Sequence, residues 1–116
     1  RSTRTLDIMR GDSRVPIEEV AIDAEGTIAI TPRIAPTEDF GQIYRAAMGV
    51  RWQPNLRALV PYETQGAAAD WWFRQIVSAV LSEYGRVLEL HSDTKWTNVS
   101  PETRRAIQSG VDRHAV

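Results

Sequence analysis

AAADWWFRQIVSAVLSEYG, residues 67–85, is the stretch whose reading decides the fold. Trp72, Phe73, Ile76, Val77, Val80, Leu81 and Tyr84 recur at i, i+3, i+4 and i+7, while Arg74, Gln75, Ser78, Ser82 and Glu83 fall elsewhere. That spacing predicts a core-facing amphipathic helix over about 67–84. Gly85 is placed to cap it in the left-handed region. A helix with one broad apolar face needs a second layer to bury it.

The flanking sequence supplies that layer as strands. In IEEVAIDAEGTIAITPRI, residues 17–34, two runs of β-branched residues flank Ala24-Glu25-Gly26, which reads as a β-hairpin. Pro32 ends the second run. Glu18 and Glu19 are adjacent, so on a regular strand they point to opposite faces. Residues 1–14 are polar around Leu6, Ile8 and Met9 and read as an edge strand or arm, with a turn at 11–14.

Two periods compete in PTEDFGQIYRAAMGVRW, residues 36–52. A helix would have Thr37 as N-cap, Glu38 and Asp39 in its first turn, one face made of Phe40, Ile43, Tyr44 and Ala47, and Gly49 just past its end. A strand would align Tyr44, Ala46, Met48, Val50 and Trp52. The caps and the Ala46-Ala47-Met48 propensity favour a helix at about 38–48. Val50–Trp52, a turn at Gln53-Pro54-Asn55 and Leu56–Val60 then form a second hairpin ended by Pro61. Downstream, Val87-Leu88-Glu89-Leu90 reads as a buried strand. Ser100 caps a helix at about 101–109, with Val99 as its staple, Pro101 at N1 and Gly110 as its stop. Residues 111–116 are expected to fray. The sum is one α+β domain over 1–116. It has a mostly antiparallel sheet of hairpins, one long helix across a face, and two shorter helices.

Composition narrows the chemistry. The chain has 116 residues, 42% hydrophobic and 25% charged, the balance of an ordinary globular domain. With no cysteine, thiolate zinc sites, Fe–S clusters and disulfides are excluded; a cytoplasmic location fits. No stretch approaches the roughly 20 apolar residues of a membrane span, and the N-terminal residues show no signal-peptide core. Net charge is −1, so nucleic acid ranks last among partners.

The candidate sites lie in three groups. HSDTKWTNVSPET, residues 91–103, places His91 and Asp93 at the end of a strand, with Glu89 just before and Trp96 just after. A lone His-x-Asp falls short of the three or four ligands a metal needs. The other histidine, His114, lies in the tail, so no metal or cofactor is assigned. Trp52, Trp71 and Trp96 are the tryptophans that periodicity leaves outside the core, with Tyr62 after a proline. Exposed together they would make a binding patch. Arg45, Arg51 and Arg57 could clamp a carboxylate or phosphate.

The order IYRAAMGVRW, then a WW-bearing helix, then VLELHSDTKWTNVSPE resembles small bacterial proteins carried on integron gene cassettes. The resemblance spans most of residues 40–108. It implies a compact cytoplasmic α+β protein with an accessory role, and it transfers no catalytic residue. The first functional expectation is therefore a non-enzymatic interaction protein, with a homo-oligomer or protein partner held on an aromatic surface of Trp52, Trp71 and Trp96 rimmed by Arg45 and Arg51. The alternative is a small hydrolase or isomerase using His91 as acid/base, with Asp93 or Glu89, in a pocket near Trp96. A small molecule bound between helix and sheet is the third.

Overall fold

The structure, a computed structural model, describes residues 14–63 and 68–115, with side chains through residue 109. Its strands are β1 (Arg14–Ile22), β2 (Ile28–Pro32), β3 (Val50–Gln53), β4 (Ala58–Pro61), β5 (Val87–Glu89) and β6 (Lys95–Thr97). Its helices are α1 (Ala69–Tyr84) and α2 (Pro101–Ala115), with one 3-10 turn at Ile43–Ala46. The strand order is β3-β4-β2-β1-β5, and β6 also pairs with β1. Both hairpins, β1–β2 and β3–β4, are antiparallel as their turn chemistry predicts. In the first turn the Asp23 carboxylate accepts from the N–H groups of Glu25 and Thr27, and Gly26 takes φ +86°.

The sheet is mixed rather than mostly antiparallel, because β5 and β6 both run parallel to β1. They lie end to end along one edge: β5 pairs with Arg14–Pro16 and β6 with Glu19–Ala21. β6 is not legible in the sequence as a strand. Three residues flanked by polar side chains carry too little period-2 signal to show a strand on their own.

α1 crosses one face of the sheet. Trp72, Phe73, Ile76, Ala79 and Val80 are buried, and their cluster takes in Val15, Ile17, Val20, Ile28, Ile30, Val50, Leu59 and Leu88. Leu81, expected on this face, is exposed because it lies at the helix margin, beyond the reach of the sheet. Gly85 caps the helix at φ +68°, its N–H bonded to the Leu81 carbonyl. α2 packs beside α1 through Ile107, which is fully buried. The Ser100 hydroxyl accepts from the Thr103 N–H at 3.1 Å, the expected cap. Replacing Ser100 with alanine should lower stability by about 1 kcal/mol, and Ser100→Asp should restore it, both read from urea midpoints. Gly110 does not stop α2, which continues to Ala115; one glycine costs a helix about 1 kcal/mol and need not end it. The two helices are thus similar in length, at 16 and 15 residues.

Three further expectations are corrected. Residues 38–48 do not form a helix. Asp39 accepts the Gly41 N–H, the Tyr84 hydroxyl accepts the Gln42 N–H, and Arg57 donates to the Glu38 carbonyl. These side chains satisfy the backbone groups that a helical ladder would otherwise pair. The remaining 3-10 turn ends at Ala47 (φ +57°), not at Gly49. Leu56 belongs to the turn before β4, which starts at Ala58. The buried part of residues 87–90 is confined to Leu88, with Val87 exposed. Arg14 opens β1; the arm and turn expected before it lie outside the described residues, as does residue 67. Among the described residues no helix is long and apolar enough to cross a membrane.

Candidate functional site

The stretch His91–Thr94 bridges β5 and β6, and its geometry follows from a β-bulge in β1. The register of β1 against β2 shifts between Ile17 and Glu19. Core residues therefore fall at 15, 17, 20 and 22, and both Glu18 and Glu19 turn to the face away from the helices. Their expected opposition is corrected by that one extra residue. The Glu18 carboxylate takes Arg33 Nε at 2.8 Å, and the Glu19 carboxylate takes the Thr97 hydroxyl.

At the same bulge the parallel ladder on the far edge of β1 is interrupted between β5 and β6. Thr94 fills the gap. It is the buried polar residue here, its hydroxyl donating to the Ile17 carbonyl at 2.7 Å and accepting from the His91 N–H at 2.9 Å. The side chain does the work of a ladder group where no strand runs.

The polar residues around it are paired among themselves. Asp93 Oδ2 takes Arg33 Nη2 at 3.1 Å, so Asp93 orients Arg33 and not His91. Hydrogen bonds from Arg33 to Glu18 first and Asp93 second raise its pKa further above the usual guanidinium range. His91 Nε2 lies 3.2 Å from Glu89 Oε1, and the other Glu89 oxygen takes Arg14 at 2.7 Å. Trp96 stands opposite Val20, on the helix side, under the Arg104 guanidinium at 4.8 Å. Glu89 follows buried Leu88 and faces the other way. The His91–Glu89 pair and Trp96 are thus on opposite sides of the sheet, so Trp96 does not wall a pocket at His91. Among the described residues no group of three or more His, Cys, Asp or Glu could hold a metal ion.

The tryptophans are also dispersed. Trp52 lies on β3, the edge strand opposite β6, with Phe40 edge-on at 5.9 Å and the Arg57 guanidinium 5.7 Å from its ring centre. Phe40 also meets Tyr84 at 4.8 Å. The Tyr84 hydroxyl accepts the Gln42 N–H, and burial raises its pKa above the ordinary phenol value. Arg45 pairs with Glu83, near the C-terminal end of α1, and with Gln42. Arg51 is held by Gln53. The three arginines therefore have separate partners and do not converge.

Trp71 is the tryptophan most open to solvent, 43% exposed at the start of α1 with its ring edge-on to Trp72 at 4.9 Å. The Trp72 ring comes within 3.2 Å of where a Cβ on Gly49 would stand. Tyr62, 56% exposed, donates its N–H to the Gly49 carbonyl. Trp71 thus reaches Gly49 through Trp72, and the backbone of Tyr62 pairs with the same glycine, which brings two exposed aromatic residues to one end of the β3–β4 hairpin. Trp71 and Glu83 lie 12 positions apart on α1, about 18 Å along its axis, so Arg45 is not at the rim of this surface. Tyr62 joins it through pairing across β3–β4, a signal that exists only once the hairpin register is known.

A family model described as "Integron Cassette Protein Hfx_Cass5" matches residues 16–94. A solved structure described as "Structure from the mobile metagenome of North West Arm Sewage Outfall: Integron Cassette Protein Hfx_Cass5" is 32% identical, with 84% of this chain and 95% of the other covered and a TM-score of 0.39. No curated protein matches.

Proposed function

The chain belongs to the Hfx_Cass5 integron cassette protein family, and from that premise we propose a non-enzymatic interaction protein of the mobile-element accessory type. Its contact surface is centred on Trp71 and Tyr62, with a second copy of the chain as the first occupant; Arg51, between Val50 and Trp52 on β3, faces away from the helices and drops out of the rim. The observation that carries this reading is the pair of exposed aromatic residues, Trp71 linked to Gly49 through Trp72 and Tyr62 through its backbone N–H. Tryptophan and tyrosine bury large area at small entropic cost and dominate interface energetics. Trp52 and Trp96, each under an arginine, stand apart from this surface.

The expected result is a wild-type mass in solution above the 13.1 kDa of one chain. It should fall to one chain in the double variant Trp71→Ala/Tyr62→Ala, with both proteins melting alike. A wild type that stays monomeric at high concentration, with Trp71 shielded from acrylamide, would sink the proposal. The second reading, a hydrolase or isomerase using His91, is supported by the His91–Glu89 contact alone. Against it, Glu89 is shared with Arg14, and Asp93 is held by Arg33. An activity that survived His91→Ala would remove it.

A further inference from the structure

We propose that residues 35–42 are a releasable strap standing in for a ligand: Phe40 fills an aromatic slot between Trp52 and Tyr84 that accepts a planar aromatic carboxylate when the strap lifts. The strap has no regular secondary structure, and all of it except Phe40 is exposed. It is tied down by side chains from elsewhere in the fold. Arg57 donates from Nη2 to the carbonyls of Ala35 and Glu38 at 3.1 and 2.8 Å. The Tyr84 hydroxyl holds the Gln42 N–H at 3.0 Å, and Arg86 stands 3.9 Å from the Glu38 carboxylate. A surface segment held by one buried peg and solvent-exposed side-chain ties opens before the sheet does.

The slot already has the parts of a binding site. Phe40 meets Trp52 edge-on and Tyr84 at a tilt, the geometries an aromatic ring prefers. Arg57 sits over Trp52, and it presents its guanidinium to two carbonyl oxygens of the strap. A carboxylate offers the same guanidinium two oxygens with a full charge, which is the stronger partner. Arg57 Nε and Nη1 enter no hydrogen bond among the described residues, so the fork has donors left for it. Arg57 also holds φ +50°, a conformation that favours glycine or asparagine. The turn thus carries arginine at some backbone cost. An apolar slot with one convergent cation selects a planar acid over a neutral ring.

The strap lowers apparent affinity by the fraction of time it is closed, so removing the peg should tighten binding. The probe is 3-phenylpropanoate, with 3-phenylpropan-1-ol as its neutral counterpart, followed by NMR at the Trp52 indole N–H. Phe40→Ala should bind the acid at least tenfold more tightly than the wild type does, and at least tenfold more tightly than the alcohol. Adding Arg57→Gln should erase the preference for the acid. Equal binding of acid and alcohol would leave only a hydrophobic cavity and overturn the proposal, as would no binding at all. The wild type gives an independent check should Phe40→Ala fail to fold. Its Gly41 and Gln42 amides should exchange at least a hundredfold faster than those of Val20 and Ile30, and saturating acid should shift their signals. Exchange of all four at one common rate would mean that the strap opens only with global unfolding, and the proposal would fail.

Discussion

Phe73→Ala should lower unfolding free energy by about 3–5 kcal/mol, the cost of deleting a fully buried aromatic ring whose site cannot close. Phe73 is 1% exposed on the face of α1 that meets the sheet, in one cluster with Ile17, Ile30 and Leu59. A domain of this size is stable by about 5–15 kcal/mol, so the variant stands near the edge of folding. The urea midpoint should fall with the slope unchanged, since the surface exposed on unfolding is nearly the same. Leu81→Ala on the same helix is the control. Leu81 is 52% exposed, and its loss should cost within about 0.5 kcal/mol. Spacing alone put both residues on one apolar face. Equal effects of the two substitutions would mean that α1 does not sit on the sheet as described.

That contrast shows where the sequence could be read and where it could not. Periodicity located α1 because 16 residues sample the helical face more than four times over. It could not place the margin of that face, which depends on where the sheet ends. The hairpins were legible because Gly26, Pro54 and Asn55 act locally. Residues 38–48 imitated a helix start through Thr37, Glu38 and Asp39. What stands in place of the helix is long-range capture of the Glu38 carbonyl by Arg57 and of the Gln42 N–H by Tyr84, the two ends of one ladder bond. Gly41 was the local warning, since Asp39-Phe40-Gly41 is also an Asx turn. The β1 bulge was invisible for a related reason: one extra residue leaves composition untouched but turns Glu18 and Glu19 to the same face. Residue type nominates candidates but says little about assembly. Trp52 and Trp96 went to opposite edges of the sheet, and His91 and Trp96 to opposite faces.

The polar stretch at 91–97 divides in the same way, and Thr94 provides the sharpest test of it. Thr94→Val keeps shape and volume but removes the hydroxyl. The Ile17 carbonyl then loses its donor in the middle of β1, and the His91 N–H loses its acceptor. A buried polar group left without a partner costs about 1–3 kcal/mol, so the variant should lose at least that much stability. Thr94→Ser keeps the hydroxyl and gives up one methyl group, for about 0.8 kcal/mol or less. Asp93→Asn weakens an exposed ion pair with Arg33 and should change stability by less than about 1 kcal/mol. Thermal or urea unfolding of the three proteins separates a ladder plug from a solvated turn. If Val and Ser at position 94 behaved alike, the hydroxyl would not be bridging the gap between β5 and β6. If Val alone were destabilising, residues 91–94 would owe their polar character first to the bulge in β1. The chemistry open to His91 would then be limited to what it can do from an exposed position beside Glu89, on the face away from the helices.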